Sequence, residues 1–417
     1  MKTKNFAQIC ILLLGLTLFS ACRNDVPSVM TLGAEMIAHE TACEIKVEGK
    51  ITSDGGEEVV AYGFCLSEHS NPSINDTKRE VKGSANGIFS NTFSNLHGGR
   101  TYYVRAYATN LEGVGYGEII EVETSYKIMP KILAIKSDSI TLNEAKISSR
   151  INPQGKKTDV FILFGTSANS LNQEISLGSY QDNQEIDLSY ELKNLTPMTR
   201  YHYCFKAKSD NGTVVSEVAI FETYAARDID GNMYRGVKIG NQIWITENLK
   251  TTRFLNGDPI PEVKDQDEWN KMKTPARCYY NNDPANGEIY GSLYNWYVGS
   301  DPRGLLEGWR VPTNQESRNT SSFLGGQDFA GGKMKSVSSL WKQPNIGATN
   351  ESGFSALPGG AREATFNHLS LSAVFWNSDP FPISGIGESF AINNNHAIIF
   401  YGGSSMFKGL SLRLIKN

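Results

Sequence analysis

Leu96-His97-Gly98-Gly99-Arg100-Thr101-Tyr102 returns 99 residues further on as Leu195-Thr196-Pro197-Met198-Thr199-Arg200-Tyr201. The same offset carries Ala108 onto Ala207, Gly113 onto Gly212, and Val122-Glu123-Thr124 onto Phe221-Glu222-Thr223. Upstream it sets the turn Ser53-Asp54-Gly55-Gly56 against Asn152-Pro153-Gln154-Gly155. One offset held over about 70 residues marks tandem copies of a single structural unit, and places them at 30–125 and 126–224. In the first copy Tyr103, Arg105, Tyr107 and Thr109 alternate with Tyr102, Val104, Ala106 and Ala108, the period of a half-buried strand. His202 to Lys208 behaves in the same way in the second. Asn110-Leu111-Glu112-Gly113 and Asp210-Asn211-Gly212 then supply turn chemistry before a closing strand. The spacing Leu-x5-Tyr fits the corner of a β-sandwich, where a Tyr hydroxyl bonds back to the turn backbone. Each copy is therefore expected to be an all-β sandwich.

With ~100 residues each and no Trp, the copies resemble the fibronectin type III and immunoglobulin-like modules common in Bacteroidetes lipoproteins, best over Val59 to Ser67 and Arg100 to Asn110. The resemblance implies rigid spacers that hold the rest of the chain away from a membrane. Tyr102, Tyr103 and Tyr107 read as core and corner packing rather than as a ligand face. Cys43 and Cys65 fall on successive strands of the first copy, where an extracytoplasmic location would permit a disulfide across the core. Cys204 and Cys278 have no evident partner and read as small buried apolar residues.

Ahead of the repeat, Lys2 and Lys4 precede an apolar run from Phe6 to Phe19, followed by Ser20-Ala21-Cys22. A charged start, a short apolar run and small residues before a cut define a signal peptide over 1–21. The run is shorter than the ~20 residues a membrane-spanning helix needs. The Cys directly after Ser-Ala resembles a bacterial lipoprotein signal, in which that Cys is diacylated and becomes the new N-terminus. Phe19 stands where such signals more often carry Leu. Cys22 is the expected lipid attachment point, and residues 22–29 read as a short polar spacer. The expected location is the bacterial outer membrane at the cell surface, with a periplasm-facing placement as the alternative. A chain with 40% hydrophobic and 20% charged residues is globular rather than disordered or coiled. Its formal charge of −4 argues against a nucleic-acid partner. Removal of the signal takes two Lys and no acid, so the exported chain is more acidic still.

From Ala225 the character changes. All six Trp (244, 269, 296, 309, 341 and 376) and more than half of the Gly lie in 225–417, which implies one core of large rings framed by turn-rich backbone. Tyr234 to Ile239 and Gln242 to Ile245, around Gly240-Asn241, read as a β-hairpin. Asp228-Ile229-Asp230-Gly231-Asn232 begins like a calcium loop, but Met233 and Ile239 stand where such a loop needs Gly and Glu. Tyr290, Leu293, Tyr294 and Tyr297 fall at i, i+3, i+4 and i+7, the apolar stripe of a helix. Thr313 and Glu316 have capping-box spacing, with Gly325-Gly326 as a stop, and predict a helix over 314–324. Ala397 to Tyr401 and Leu410 to Ile415 read as closing strands. The class is α+β with long loops.

These segments carry a second resemblance, which covers all of 225–417. Asp230-Gly-Asn-Met-Tyr234, Ile239-Gly-Asn-Gln-Ile-Trp244, Glu247-Asn-Leu249, Tyr290-Gly-Ser-Leu-Tyr-Asn-Trp-Tyr297, Gly308-Trp-Arg-Val-Pro312 and Gly353-Phe-Ser-Ala-Leu-Pro-Gly-Gly-Ala-Arg362 resemble the Fibrobacter succinogenes major paralogous domain. The resemblance implies an extracellular or surface domain, often carried on lipoproteins. The order Trp-x-Val-Pro, Gly-Gly-x-Arg and a closing Ser-x-Arg is also similar to C-type-lectin-like and formylglycine-generating-enzyme-like folds, so a C-type-lectin-like α+β domain is expected. Family members usually carry Cys four residues before the Trp of Gly-Trp and another beside the closing Arg; here these are Leu305 and Leu414. The exchange implies an apolar contact where relatives would hold a disulfide. Ser317 stands where relatives favour Trp, and Phe375-Trp376-Asn377-Ser378 replaces a paired Trp before Ser-Ser. A ligand face that included this tract would have altered specificity.

An enzyme needs reacting groups, and the sequence of this domain offers few. Copper oxidases of the formylglycine-generating type need a Cys pair where only Cys278 is present, and iron sites need several His where only His368 and His396 occur. Neither a Gly-x-Ser-x-Gly elbow nor a His-Glu-x-x-His motif is found. The reading is a non-enzyme with no cofactor, no metal and no catalytic residue assigned. Gln343-Pro344-Asn345 and Trp376-Asn377 are similar to the calcium and sugar ligands of C-type lectins. Gln in place of Glu removes a charge calcium needs, and Ser378 replaces the Asp. Sugar binding without calcium stays open, because aromatic faces stack on pyranose rings while Asn and Arg bond hydroxyls. Tyr294, Trp296, Arg362, Trp376 and Asn377 are the candidate ligand-binding residues, against a competing reading of core packing and a structural hydrogen-bond hub. The expected function is a cell-envelope lipoprotein that displays a ligand-binding domain, for glycan or protein adhesion, on two sandwich spacers. The alternative is a structural subunit of a surface protein assembly.

Overall fold

The computed structural model describes residues 24–83 and 87–417; Cys22 and the signal segment lie outside them. The chain divides into two compact units, one ending at Met129 and one spanning Pro130–Asn417.

The first unit is a sandwich of eight strands: β1 (Ser28–Ala38), β2 (Cys43–Ser53), β3 (Ala61–Ser67), β4 (Thr77–Glu80), β5 (Ile88–Leu96), β6 (Thr101–Asn110), β7 (Gly113–Tyr116) and β8 (Ile120–Glu123). One sheet has the order β1-β2-β5; the other runs β4-β3-β6-β7, with β8 also pairing β6. Alternating residues of both sheets (Ile45 and Val47, Phe64, Phe93, Val104 and Ala106) fill the space between them. Strand β1 begins at Ser28, inside the stretch read as a spacer. Asp25 is already tied to the fold there, its N–H donating to Gly55 O (2.9 Å) while its carbonyl accepts from Asn110 Nδ2 (2.7 Å).

The second unit opens with the same design: β9 (Lys131–Asp138), β10 (Ala145–Asn152), β11 (Thr158–Gly165), β12 (Gln173–Tyr180), β13 (Ile186–Leu192), β14 (Arg200–Ser209), β15 (Gly212–Val215) and β16 (Ala219–Glu222). Its sheets are β9-β10-β13 and β12-β11-β14-β15, with β16 on β14, strand for strand the topology of the first unit. The fibronectin type III-like sandwich expected from the repeat is thus present twice. The quoted heptapeptides form the predicted corner in both copies. Tyr102 Oη accepts from His97 N (3.3 Å), and Tyr201 Oη from Thr196 N (2.9 Å). Thr124 Oγ1 donates to His97 O (2.7 Å) and accepts from Arg100 N (3.2 Å), while Thr223 Oγ1 donates to Thr196 O (2.7 Å) and accepts from Thr199 N (3.0 Å). Two hydroxyls per copy therefore close the backbone of a turn that neither sheet can satisfy.

The Cys43–Cys65 disulfide is not formed; both are buried free thiols. Side-chain alternation explains it. Cys43 lies in the inward register of β2 and donates its thiol to Ser125 O at 3.3 Å. On β3 the inward residues are Tyr62, Phe64 and Leu66, so Cys65 falls on the outer face, near Arg105, Asp76 and Lys78. Burial pushes its thiol up to about 12.

In the α+β remainder, Gly236–Ile239 pairs with Gln242–Ile245 as the predicted hairpin, and Ile415–Lys416 and Trp309–Arg310 extend it into a four-stranded sheet. A second, five-stranded sheet has the order Phe366–Leu369, Gly359–Arg362, Ser372–Pro380, Ile386–Asn393, Ile399–Ser405. Of the two expected closing segments, the first forms the edge of this sheet; the second is mostly extended backbone bridging at Leu410 and Ser411. Helix Asn314–Phe323 carries a complete capping box between Thr313 and Glu316. The stripe Tyr290 to Tyr297 is not one helix: helix Pro284–Tyr290 stops at Gly291 (φ 76), Leu293–Tyr294 is a strand, and a short helix starts at Trp296. Glycine ends the periodic run because it takes a left-handed φ at no steric cost. Five of the six Trp are buried, and Leu305 and Leu414 lie in one apolar core.

The seam between this domain and the second sandwich has no free linker. Tyr224 N donates to Thr141 O (3.0 Å) on the sandwich side, and Ala225 N to Tyr234 O (2.8 Å) on the other. The Arg235 guanidinium lies 4.8 Å from the centre of the Tyr224 ring. Met198, at the tip of the repeated corner, rests on Gly236, where a Cβ would come within 2.6 Å of the Met198 Cε and 2.8 Å of the Ala225 Cβ.

Candidate functional site

Four of the five candidate ligand residues are in the interior. Tyr294, Arg362, Trp376 and Asn377 are each 0% exposed, and Trp296 is half-buried. The fold does bring several together. Trp376 Nε1 donates to Tyr294 O (2.8 Å), Trp296 Nε1 to Asn377 O (3.2 Å), and Asn377 Oδ1 accepts from Ser317 Oγ (2.7 Å). Tyr294 Oη donates to Thr251 O (2.7 Å), deep enough that its phenol is pushed well above the ordinary range by burial. The competing reading of core packing describes them: Tyr294 and Trp296 are tied to strand Ser372–Pro380, and Ser317 ties helix Asn314–Phe323 to the same strand through Asn377. Arg362 stands apart and is the hub the competing reading described. Its guanidinium donates to Val263 O (2.6 Å), Lys264 O (2.8 Å) and Asp265 O (3.1 Å) and lies 4.4 Å from the centre of the Trp269 ring.

Two further buried cations escaped the sequence reading as hubs. Arg413, 0% exposed, donates to Asn248 Oδ1 (2.8 Å), Phe354 O (2.7 Å), Ser355 O (3.0 Å) and Ile245 O (3.3 Å). Burial holds its guanidinium down to about 9, still charged at neutral pH. Lys335 donates to Ile346 O (2.6 Å), His396 O (3.0 Å) and Asn393 O (3.1 Å), and burial lowers its amine to about 8. Each ties irregular loop carbonyls to the end of a strand, Arg413 at Ile245 and Lys335 at Asn393. The closing Ser-x-Arg marked Arg413 in the sequence, whereas nothing in the pattern around Lys335 did.

The carboxylates of the Asp228 to Asn232 segment are taken up by the surrounding fold. Asp228 accepts from Asn232 N (2.8 Å), Asn232 Nδ2 (2.8 Å) and Tyr234 Oη (2.6 Å), and Asp230 from Thr252 N (2.6 Å) and Thr252 Oγ1 (2.9 Å). Asp230 also borders a small depression of about 250 Å³ with Lys250 and Glu288, which are occupied by each other, Lys250 Nζ donating to Glu288 O at 2.6 Å. A larger depression, about 510 Å³, lies on the exposed face of the β9-β10-β13 sheet. Four of its five charged side chains are likewise paired, Lys136 with Asp138 (2.9 Å) and Arg150 with Asp187 (2.8 Å), with Lys146 as the fifth.

A third cleft differs in chemistry. It measures about 460 Å³ and is lined by Ile239, Gly240, Asn241, Gln242, Asn319 and Phe323, with no charged side chain. The hairpin tip Gly240-Asn241 forms one wall and the C-terminal half of helix Asn314–Phe323 the other. Gly240 (φ 61) makes the tight turn and touches Phe323, since a Cβ there would lie 3.2 Å from the ring. Phe323 is nevertheless 66% exposed. Behind the wall, Trp244 Nε1 donates to Thr320 Oγ1 (3.2 Å), and Thr320 Oγ1 donates to Gln242 Oε1 (2.5 Å).

Residues 237–416 match the Fibrobacter succinogenes major domain. Among solved structures, the chicken CNTN1 FN1-FN3 domains are 16% identical over 48% of this chain and 68% of that one, with a TM-score of 0.27. A two fibronectin type III domain segment from chicken tenascin is 16% identical over 48% of this chain and all 100% of its own length (TM-score 0.24). The sensor domain of the anti-sigma factor RsgI4 from Pseudobacteroides cellulosolvens, in its short form, is 24% identical over 23% of this chain and 95% of its own (TM-score 0.20). No curated protein matches the sequence. The C-terminal domain thus belongs to the Fibrobacter succinogenes major domain family. Such a domain behind two fibronectin type III-like spacers is the build of a surface or structural protein.

Proposed function

We propose that the chain is a cell-envelope lipoprotein, attached to the outer membrane through lipid on Cys22, whose C-terminal domain is displayed on sandwich spacers for adhesion to a glycan or protein outside the cell. The observation that carries the reading is the division of labour along the chain. Two copies of one sandwich, each closed by the same Tyr and Thr hydroxyls, precede one domain of different build. That domain commits its interior Trp, Arg and Lys to holding its own loops. A molecule built this way meets other molecules through its outer surface, and needs no catalytic group to do so. In this reading it is not an enzyme, and it takes no cofactor and no nucleic acid.

Two measurements test the proposal. Metabolic labelling with a fatty acid should tag the wild-type chain and not Cys22→Ser, which should leave the membrane fraction. Cells lacking the chain should lose adhesion to host matrix or polysaccharide surfaces, and protease applied to whole cells should remove the domain. Equal labelling of Cys22→Ser, or unchanged adhesion, would sink the corresponding half of the reading.

A further inference from the structure

We propose that the cleft between the Gly240-Asn241 turn and Phe323 is a binding site for a neutral saccharide, with the pyranose ring on the Phe323 face and its hydroxyls on the carboxamides of Asn241, Gln242 and Asn319. The inference rests on the adhesion reading and gives it a site and a ligand class, at positions other than the residues the sequence singled out.

The lining decides the class. Its polar side chains are three carboxamides, and it holds neither cation nor anion. Carboxamides present a donor and an acceptor side by side, which suits vicinal hydroxyls, while an uncharged wall offers a carboxylated or sulfated sugar no counter-ion. Two of the three amides are also oriented in advance. The Trp244 indole can only donate, so it takes a lone pair of Thr320 Oγ1 and leaves that hydroxyl to donate its proton. The nearer acceptor is Gln242 Oε1, at 2.5 Å against 3.1 Å for Glu316 O. The Gln242 oxygen is thereby held against the helix and its NH₂ is turned away from it. Asn319 Oδ1 likewise accepts from Gln315 Nε2 at 2.9 Å, leaving its NH₂ unspent. Asn241, exposed at the turn, has both halves of its amide to offer. Fixing Gln242 and Asn319 before the ligand arrives removes part of the ordering cost of binding.

Phe323 completes the arrangement. It is 66% exposed at the last position of its helix, in contact with Gly240. A large ring kept in water beside preset amides is the complement of a sugar, whose C–H face is apolar and whose rim is polar. A volume of about 460 Å³ accommodates a mono- or disaccharide.

The test is titration of the full chain with neutral cello-, xylo-, manno- and galacto-oligosaccharides, and with polygalacturonate as an acidic counterpart, followed by ligand-detected NMR. Saturation transfer to at least one neutral series is expected, with weaker transfer to the acid. Phe323→Leu keeps bulk and apolarity without the π face and should weaken binding about tenfold, while Phe323→Trp should retain it. Asn241→Ala, at an exposed turn, should weaken it about threefold or more. Circular dichroism would confirm that each variant is folded. Sugar binding that is indifferent to all three substitutions overturns the site and leaves adhesion standing. No transfer from any neutral sugar overturns the site and its ligand together. If Phe323→Leu then still abolishes adhesion of whole cells, the cleft is a protein contact and the saccharide inference is wrong. Loss of adhesion on deleting the chain is read separately and bears on the broader reading alone.

Discussion

A buried guanidinium with four acceptors is expensive to disturb, because each acceptor is backbone or amide oxygen that water cannot reach once the cation is gone. Arg413 holds Phe354 O and Ser355 O from one loop, and Ile245 O and Asn248 Oδ1 from the other side of the domain. Arg413→Met keeps the volume and orphans all four; the expected loss is about 3–5 kcal/mol, read from the urea midpoint of the full chain. Arg413→Lys should recover only part of it, since an ammonium cannot fork to both sides. A loss under 1 kcal/mol for the Met variant would mean the loops close without the hub. The thiols give a second check at this scale. Cys43, Cys65, Cys204 and Cys278 are buried and unpaired, with the Cys65 thiol pushed up to about 12 and that of Cys278 to about 11 by burial. Iodoacetamide should label none of them in the folded protein and all four after denaturation without reductant. A requirement for reductant would restore the disulfide that strand alternation excludes. The sequence named Trp376 and Arg362 as chemistry-bearing residues but could not say which side of the surface they occupy. In turn-rich backbone no 2.0 or 3.6 period ties a side chain to a face, and an interior Arg on carbonyls reads in sequence like an exposed one.

Capping and corner hydroxyls act on whole elements. Glu316 pairs with Arg310 (2.6 Å) and accepts from Thr313 N (2.8 Å), which together hold its carboxyl down to about 2, against 4.5 ordinarily. A folded-state value below the unfolded one means the stabilisation is complete above pH 4.5 and is lost as pH falls toward 2. Glu316→Gln should cost about 1 kcal/mol at pH 7 and flatten the acid limb of the stability profile; an unchanged limb would show that the cap does not govern this helix. In the sandwiches, Tyr102→Phe and Tyr201→Phe each orphan one backbone N–H. Each should lower the stability of its own sandwich by about 1 kcal/mol, measured by hydrogen exchange in β6 and β14 respectively. Much of this level was legible. The offset of 99 places Thr101 on Arg200, Gly113 on Gly212 and Ile120 on Ala219, which are the first residues of three successive strands in each copy. The capping box was equally plain, because cap and partner are three residues apart. The stripe Tyr290 to Tyr297 misled because its spacing is helical while Gly291 (φ 76) breaks the backbone inside it. The cleft walls, 239–242 and 319–323, are about 80 residues apart, and no local pattern announces a contact at that separation.

At the scale of the molecule, the repeat treats the second sandwich as an equal of the first, but the second shares its compact unit with the C-terminal domain, Pro130–Asn417. A contact that links the two lies in the corner motif itself. Where the first copy has Gly99, the second has Met198, held at φ 54 with its thioether against Gly236. Between them the chain crosses in two residues, with Tyr224 bonded to Thr141 and Ala225 to Tyr234. A seam with short, hydrogen-bonded crossing and no spare chain transmits unfolding, because neither side can loosen without exposing the other's bonds. The strands of 130–224 and the sheet of 236–245 should therefore lose hydrogen-exchange protection together in rising denaturant. Gly236→Val places a branched side chain where a Cβ already meets Met198 Cε at 2.6 Å and Ala225 Cβ at 2.8 Å. The thioether can swing aside; the Ala225 Cβ, fixed by its backbone bond to Tyr234, cannot. The variant should split the single transition in two, with the sandwich and the domain each keeping most of its own core. Met198→Gly, which returns to the second corner the residue of the first, should weaken the coupling without a clash. One shared transition in both variants would mean the seam is held elsewhere than at the repeated corner.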